Sequence, residues 1–271
     1  MASLDQKLVL ITGGAGLLGL EHGVAVATAG GIPILVDIDV EALAAARSKF
    51  AERMPNSQLE TRVADICSRA ALEELADEIS TSLGDVDCLI NNAAVNPTMD
   101  DGYSMISGAL ETYPIENWSR EFEVGVTGAL LMIQVFGAKM AGRGRGSIVN
   151  IASDLGVIAP DHRIYTPTRN MEDVTSFKPV SYSVGKHALI GLTKYVATYW
   201  GHVNVRCNAL APGGVFNGQN ESLVDGLEDR IPLRRMAYHD EYHDAVIFLC
   251  SDASSYMTGQ VLVMDGGRSV W

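Results

Sequence analysis

Residues 7–37 read KLVLITGGAGLLGLEHGVAVATAGGIPILVD. A short, continuously apolar run at Lys7–Ile11 is followed by the turn Thr12-Gly13-Gly14-Ala15-Gly16-Leu17-Leu18-Gly19. A segment of helix length comes next, and then a second apolar run at Ile32–Asp37. The pattern is strand, glycine turn, helix, strand, which is the opening of a dinucleotide-binding unit. Glycines there allow a tight turn, let the backbone approach a pyrophosphate, and let the helix lie close to the strand. The helix N-terminus adds free N–H groups and a partial positive charge. Gly13, Gly16, Leu18 and Gly19 are the expected pyrophosphate contacts.

Outward from this unit the alternation continues to the end of the chain. Further candidate strands are Gln58–Ala64, Val86–Ile90, Ser147–Ile151, Val203–Leu210 and Gln260–Met264, with helical patterns such as Val40–Arg53 and Ser68–Leu83 between them. Nearly continuous apolar strands are those covered on both faces. The expected fold is α/β: a Rossmann-like, doubly wound parallel sheet of about seven strands in one domain, residues 1–271. Three stretches break the rhythm, Val95–Glu116, Asp154–Val180 and Pro212–Tyr238, each after a candidate strand. Ligands in open α/β sheets bind at the carboxyl ends of strands, so these are the expected substrate loops. Gly142-Arg143-Gly144-Arg145-Gly146 resembles a phosphate nest but precedes a strand, on the opposite edge, and reads as a turn.

With 271 residues, 47 % of them hydrophobic, the chain can bury a substantial core. A formal charge of −13 argues against binding nucleic acid or an anionic membrane through bulk electrostatics. The apolar stretch Leu8–Leu20 is too short to span a bilayer, and the N-terminus has no basic leader or cleavage site. Cys67, Cys88, Cys207 and Cys250 lie far apart, with no zinc spacing and no disulfide framework. They are expected as small core residues of a cytoplasmic protein that holds no metal.

Asp37 closes the second strand. Its carboxylate can accept hydrogen bonds from the adenosine ribose hydroxyls and would repel a 2′-phosphate; no Arg or Lys lies in the glycine loop. NAD is therefore expected rather than NADP. Asp39 is the better candidate for capping the helix that follows. Asp65 and Ile66, after the third strand, are expected near the adenine. At the end of the fourth strand, Asn91-Asn92-Ala93-Ala94 offers small residues that let the dinucleotide pass, and amides that can tie strands together.

Tyr182 and Lys186 stand four apart, on one face of a helix, and Ser153 closes the strand Ser147–Ile151 and its extension. Taking the proton from an alcohol during hydride transfer needs a base active near neutrality, whereas free Tyr has a pKa of about 10. Lowering it by three units requires about 4 kcal/mol. An ammonium at ~4 Å and an effective dielectric of about 20 supplies that amount. Ser153 would donate a hydrogen bond to the substrate oxygen.

These elements resemble the short-chain dehydrogenase/reductase family almost end to end. The likeness includes the glycine turn, Asn91-Asn92-Ala93-Ala94, Ser153, Tyr182 with Lys186, and Pro212-Gly213-Gly214. It continues through Phe248-Leu249-Cys250-Ser251-Asp252, Thr258-Gly259-Gln260 and Asp265-Gly266-Gly267. The resemblance implies NAD(P)-dependent hydride transfer, with Tyr182 as acid/base. It makes Lys186 the residue that lowers the Tyr pKa and binds the nicotinamide ribose, and Ser153 the one that orients substrate. It also implies cofactor contacts at Asn92, Ala93, Ala94, Pro212, Gly213 and Val215, and a homo-oligomer, a dimer or a homotetramer.

Four features depart from that family. TGGAGLLG resembles the spacing of its longer, sugar-nucleotide-modifying branch, with Leu17 where the shorter branch has Gly. Gly125 stands where an Asn usually completes a catalytic tetrad, so the proton relay must differ. Ser153 and Tyr182 are 29 positions apart, about twice the familiar spacing. Asn217 replaces the Thr that often follows the Pro-Gly turn.

The long Ser–Tyr connection carries Asp161, His162, Arg163, Tyr165, Thr166, Thr168, Arg169, Asn170 and Lys178, and reads as too polar for core. Arg163 is the expected anion binder, since a guanidinium grips a carboxylate or phosphate with two parallel bonds. Tyr165, Asn96 and Asn217 are the other expected substrate contacts, suited to a sugar derivative and poorly suited to a fatty acyl chain. His187 reads as structural. The expected function is NAD-dependent interconversion of a secondary alcohol and a ketone on a sugar-derived substrate. An NAD-using sugar epimerase or dehydratase, and a non-catalytic NAD-binding regulatory protein, are the alternatives.

Overall fold

The computed structural model describes residues 2–95, 109–166, 170–174 and 176–271. Seven strands form one parallel sheet in the order β3-β2-β1-β4-β5-β6-β7. They are β1 (Leu8–Thr12), β2 (Ile32–Asp37), β3 (Glu60–Val63), β4 (Cys88–Asn91), β5 (Gly146–Ile151), β6 (Val205–Pro212) and β7 (Val261–Met264). Strand order reverses between β1 and β4, which leaves a crevice beyond their carboxyl ends. The register aligns Ile11 with Leu35 and Ile90, and Asn91 with Asn150, so the candidate residues share one edge.

The helices are α1 (Leu17–Thr28), α2 (Val40–Arg53), α3 (Arg69–Ser82), α4 (Ile115–Arg143), α5 (Val180–Trp200), α6 (Glu221–Glu228) and α7 (His243–Cys250). Local chemistry sets several ends. Asp39 caps α2, accepting from the N–H groups of Glu41 and Ala42 at 2.9 and 3.0 Å. Ser68 caps α3 through Ala71, and Gly144 closes α4 in the left-handed region at φ +71°. The Gly142–Gly146 segment is therefore a helix stop and turn, as read.

Two cores cover the sheet. Leu20, Val24 and Val26 of α1, Leu43 and Phe50 of α2, and Val246 and Leu249 of α7 pack on one face. Leu72 and Ile79 of α3, Met132, Phe136 and Met140 of α4, and Val196 of α5 pack on the other. Each such side chain contributes about 1.5–3 kcal/mol of burial. Three of the cysteines are buried and the fourth, Cys67, is half-buried; all four are free. Leu8–Leu20 is not the stretch that most resembles a membrane span. By length and composition α4, at 29 residues, is long and apolar enough to cross a bilayer, yet its apolar side chains feed the second core. Its apolarity is hidden in the sequence because two π-helical stretches, Glu123–Gly128 and Ile133–Gly137, break the periodicity.

On α1, His22 is fully buried, and among the described residues neither ring nitrogen has a hydrogen-bond partner. Burial, then the charge of His243, pushes its pKa down to about 3. Neighbouring Glu21 is held at about 2: burial alone would raise it, but hydrogen bonds from His243 and Arg53 outweigh that. A neutral buried His stabilises the fold above its ordinary value of 6.5, and that contribution is lost as pH falls toward 3, because unfolding takes up a proton. Glu21 joins only below 4.5. Wild type is expected to lose stability between pH 6.5 and 4.5, and His22→Leu to flatten that slope. Urea midpoints measured across the window check it; an unchanged slope in the variant would rule out His22 as the cause.

Candidate active site

The glycine turn folds as it does because Gly13 sits at φ +60°, and a Cβ there would lie 2.8 Å from the Cα of Ala93. No L side chain fits both demands. The Thr12 hydroxyl accepts from the N–H groups of Asn92 and Ala93, and the Asn92 amide donates to the carbonyls of Thr12 and Gly13. The turn after β1 is thus clamped to the end of β4. Asn91 donates to Asn150 at 2.9 Å, the tie between strands expected of it.

Gly16 is the N-cap of α1, with no side chain capping the helix and no acidic residue in its first turn. Leu18 packs into the core beneath the turn, while Leu17, the departure from the family pattern, is 40 % exposed and displaces nothing. The free N–H groups at this helix start, a glycine turn that a Cβ would block, and Asp37 beside them fit a pyrophosphate and a ribose. The Asp37 carboxylate accepts from the N–H of Ala15 at 3.1 Å and from that of Asp39 at 3.2 Å, which aims it at the turn. Ile66 is buried after β3 and Asp65 is exposed beside it. Gly213 donates to the Met264 carbonyl after Pro212 ends β6, and Val215 bridges to Ala237.

Ser153, Tyr182 and Lys186 come together at the same edge. The Ser153 hydroxyl lies beside that of Tyr182. Lys186 is buried, and its Nζ donates to the Ile151 carbonyl at 2.8 Å. Gly156 makes the approach possible: a Cβ there would lie 2.9 Å from the Lys186 carbonyl oxygen, so only glycine lets the turn after Ser153 touch α5. Lys186 Nζ lies 5.7 Å from the centre of the Tyr182 ring, whereas Lys178 Nζ lies 4.0 Å from it. Lys178 is thus the ammonium nearer the Tyr182 ring. Burial, then the charge of Lys178, lowers the Lys186 pKa to about 8. Burial also raises Tyr182; the Ser153 hydroxyl opposes this and the charge of Asp154 reinforces it. Tyr182 is therefore a phenol until further positive charge arrives.

A buried ion pair underlies Ser153. The Ser153 hydroxyl donates to Asp154 Oδ1 at 2.9 Å, and Arg268 donates to Asp154 Oδ2 at 2.7 Å. Tyr165 faces this group; burial pushes its pKa up to about 12, opposed by the charge of Arg268 and reinforced by Tyr182 and Asp154. The expected contact at Tyr165 is thus brought to the site.

Other expectations need correction. Arg163 is no free anion grip, because Asp161, two residues earlier, takes its Nε and Nη2 at 2.9 and 2.7 Å. The connection after Ser153 is not all polar surface: Ile164 and Val174 are buried, Ile164 in a small core with Leu227, Ile231 and Met236. The stretch 212–238 contains α6, capped by Asn220. Asn217 is exposed, its N–H bonded to Gln219 within the loop. Asn96 lies outside the described residues. His187 is exposed, with Nδ1 2.9 Å from the Ser183 carbonyl, in keeping with a structural part. Gly125 lies in the first π-helical stretch of α4, and a Cβ there would meet no atom within 4 Å.

A family model described as Enoyl-(Acyl carrier protein) reductase matches residues 18–269. D-threitol dehydrogenase of Mycolicibacterium smegmatis is 30 % identical over 98 % of this chain and 94 % of its own. A gluconate 5-dehydrogenase from Burkholderia cenocepacia, solved with NADP and tartrate, is 26 % identical with a TM-score of 0.84, covering 99 % of this chain and 97 % of its own. NAD+-bound xylitol dehydrogenase is likewise 26 % identical with a TM-score of 0.83, covering 97 % and 99 %. With its sheet order, glycine turn and Ser-Tyr-Lys site, this chain belongs to the short-chain dehydrogenase/reductase family and is an oxidoreductase acting on CH–OH groups with a nicotinamide cofactor.

Proposed function

We propose that the protein is an NAD-linked dehydrogenase that interconverts a secondary alcohol and a ketone on a polyol or sugar-derived substrate. The observation that carries this reading is the convergence of Ser153, Tyr182 and Lys186 beside the Gly13 turn. Bound oxidised nicotinamide supplies a hydride acceptor and one more positive charge. Ser153 turns its one hydroxyl proton from Asp154 to the substrate oxygen, and Tyr182 Oη takes the hydroxyl proton as the C–H bond breaks. Lys186 holds the far side of the site through the Ile151 carbonyl. The relatives named for threitol, gluconate and xylitol support a polyhydroxylated substrate, as do Tyr165 and the charged groups around Ser153.

Asp37 supports NAD over NADP, since its carboxylate, held at the glycine turn by the Ala15 and Asp39 N–H groups, would repel a 2′-phosphate, and Asp39 adds a second negative charge. Asp37→Ala is expected to weaken NAD about 10-fold or more, the worth of charged hydrogen bonds to two hydroxyls, while gaining activity with NADP. Initial rates with both cofactors check this, using threitol, xylitol, sorbitol and simple secondary alcohols as substrates. Turnover of simple alcohols alone would sink the polyol reading; a wild type that prefers NADP would sink the cofactor reading. A homo-oligomer is also proposed, supported by Tyr195 and Tyr199, which stack at 6.0 Å on the exposed face of α5. The free cysteines support a reducing, cytoplasmic setting.

A further inference from the structure

Lys178 lies four residues before Tyr182, in the irregular run that leads into α5. Its ammonium sits over the Tyr182 ring at 4.0 Å from the centroid. The side chain is largely withdrawn from solvent, and burial lowers its pKa. Among the described residues no oxygen lies within hydrogen-bonding or ion-pair reach of Nζ, so three donors are spent on no protein group. A half-buried ammonium without an acceptor is costly unless something else supplies one.

The carboxylates whose fields reach Lys178 are Glu121 and Asp154, and both are engaged elsewhere. Asp154 is held by Arg268, by Ser153 and by the Leu155 N–H. Glu121, from α4, accepts from Ser181 at 2.5 Å and from Tyr113 at 2.7 Å. Arg163, the other cation of the same connection, is clasped by Asp161, which also binds Arg230. Among the described residues Lys178 is thus the cation at this site whose ammonium donates to no protein group, unlike Lys186 on the Ile151 carbonyl and Arg268 on Asp154.

We propose that Lys178 binds an anionic substituent of the substrate, a carboxylate or a phosphate, close to the carbon that is oxidised. The proposal rests on the dehydrogenase reading and narrows it from polyols in general to sugar acids or sugar phosphates.

Gluconate, sorbitol 6-phosphate and uncharged sorbitol separate the possibilities, each assayed with saturating NAD on wild type, Lys178→Met and Lys178→Arg. Wild type is expected to favour one of the two anions over sorbitol by about 10- to 100-fold in kcat/KM, the range for a charged hydrogen bond. Which anion it favours tells carboxylate from phosphate. Lys178→Met is expected to bring that ratio close to one, and Lys178→Arg to keep most of it. Among the described residues the Met variant forfeits no hydrogen bond or ion pair, only the ammonium's place over the Tyr182 ring, so it should fold. A wild-type preference for sorbitol, or an anion preference that survives in Lys178→Met, overturns the proposal. Calorimetric binding of tartrate and of inorganic phosphate to the NAD complex gives a readout apart from turnover. If no polyol reacts, the dehydrogenase reading fails, while anion binding lost in Lys178→Met still supports the site. Anion binding that is absent, or indifferent to Lys178→Met, overturns it.

Discussion

Tyr182→Phe is expected to lower kcat by 10²–10⁴-fold, roughly the full contribution of a general acid/base, while NAD still binds. The hydroxyl lies beside Ser153, placed to accept the alcohol proton. Its removal leaves Lys186 on the Ile151 carbonyl and Ser153 on Asp154, so the scaffold stands. Stability should change by only about 1 kcal/mol, the net worth of one hydrogen bond. Burial raises Tyr182 in the unliganded protein, so its charge state depends on cations added around it. The oxidised cofactor brings one such charge when it binds. NADH formation with a responsive polyol, alongside NAD affinity by fluorescence titration, measures both halves. More than about a tenth of wild-type turnover in the variant would mean that another group carries the proton.

The parts of this site that were legible in the sequence are local. The strand–turn–helix of residues 8–28 and the strand ends at Asp37 and Asn91 follow from apolar runs and glycine placement, and the folded chain has them at nearly those boundaries. Asp39 could be chosen as the α2 cap over Asp37 because capping is a one-turn interaction. The pairing of Asp161 with Arg163 is also local, and an Asp two residues before an Arg in a loop is a signal that could have been used. What stayed hidden is long-range. Asp154 and Arg268 lie 114 positions apart and meet only because β5 and the segment after β7 end at one edge. Lys178 precedes α5, so its approach to Tyr182 is not a helical spacing, and no periodicity reveals it. Helix α6 is only eight residues long and is stabilised by Ile164 from a different loop, so its own pattern is weak. Lys186 was legible as a partner of Tyr182, but its distance was not, because burial draws the ammonium to the Ile151 carbonyl.

The Asp154–Arg268 pair supports the second large expected effect, on stability and catalysis together. Both side chains are nearly excluded from water, at 4 % and 7 % exposure, so each needs the other. Asp154→Ala strands a buried guanidinium, which costs about 3–5 kcal/mol. For a chain of this size that is a fall of roughly 6–20 °C in Tm. The same change removes the acceptor that fixes the Ser153 hydroxyl at 2.9 Å, so kcat should fall as well. A double variant separates the two roles. Asp154→Leu with Arg268→Met replaces the charges with apolar groups of similar bulk, and such swaps of buried pairs are often neutral or stabilising. Its Tm should return close to that of wild type, while kcat stays low because Ser153 still lacks its acceptor. Thermal unfolding followed by circular dichroism, with kcat measured well below both midpoints, reads the two effects apart. If the double variant recovers turnover along with Tm, Asp154 is a structural ion and Ser153 needs no help in aiming its hydroxyl. If Tm recovers and kcat does not, the carboxylate acts on the reaction through Ser153, and the pair is kept at the cost of a buried charge because the site needs that hydroxyl held.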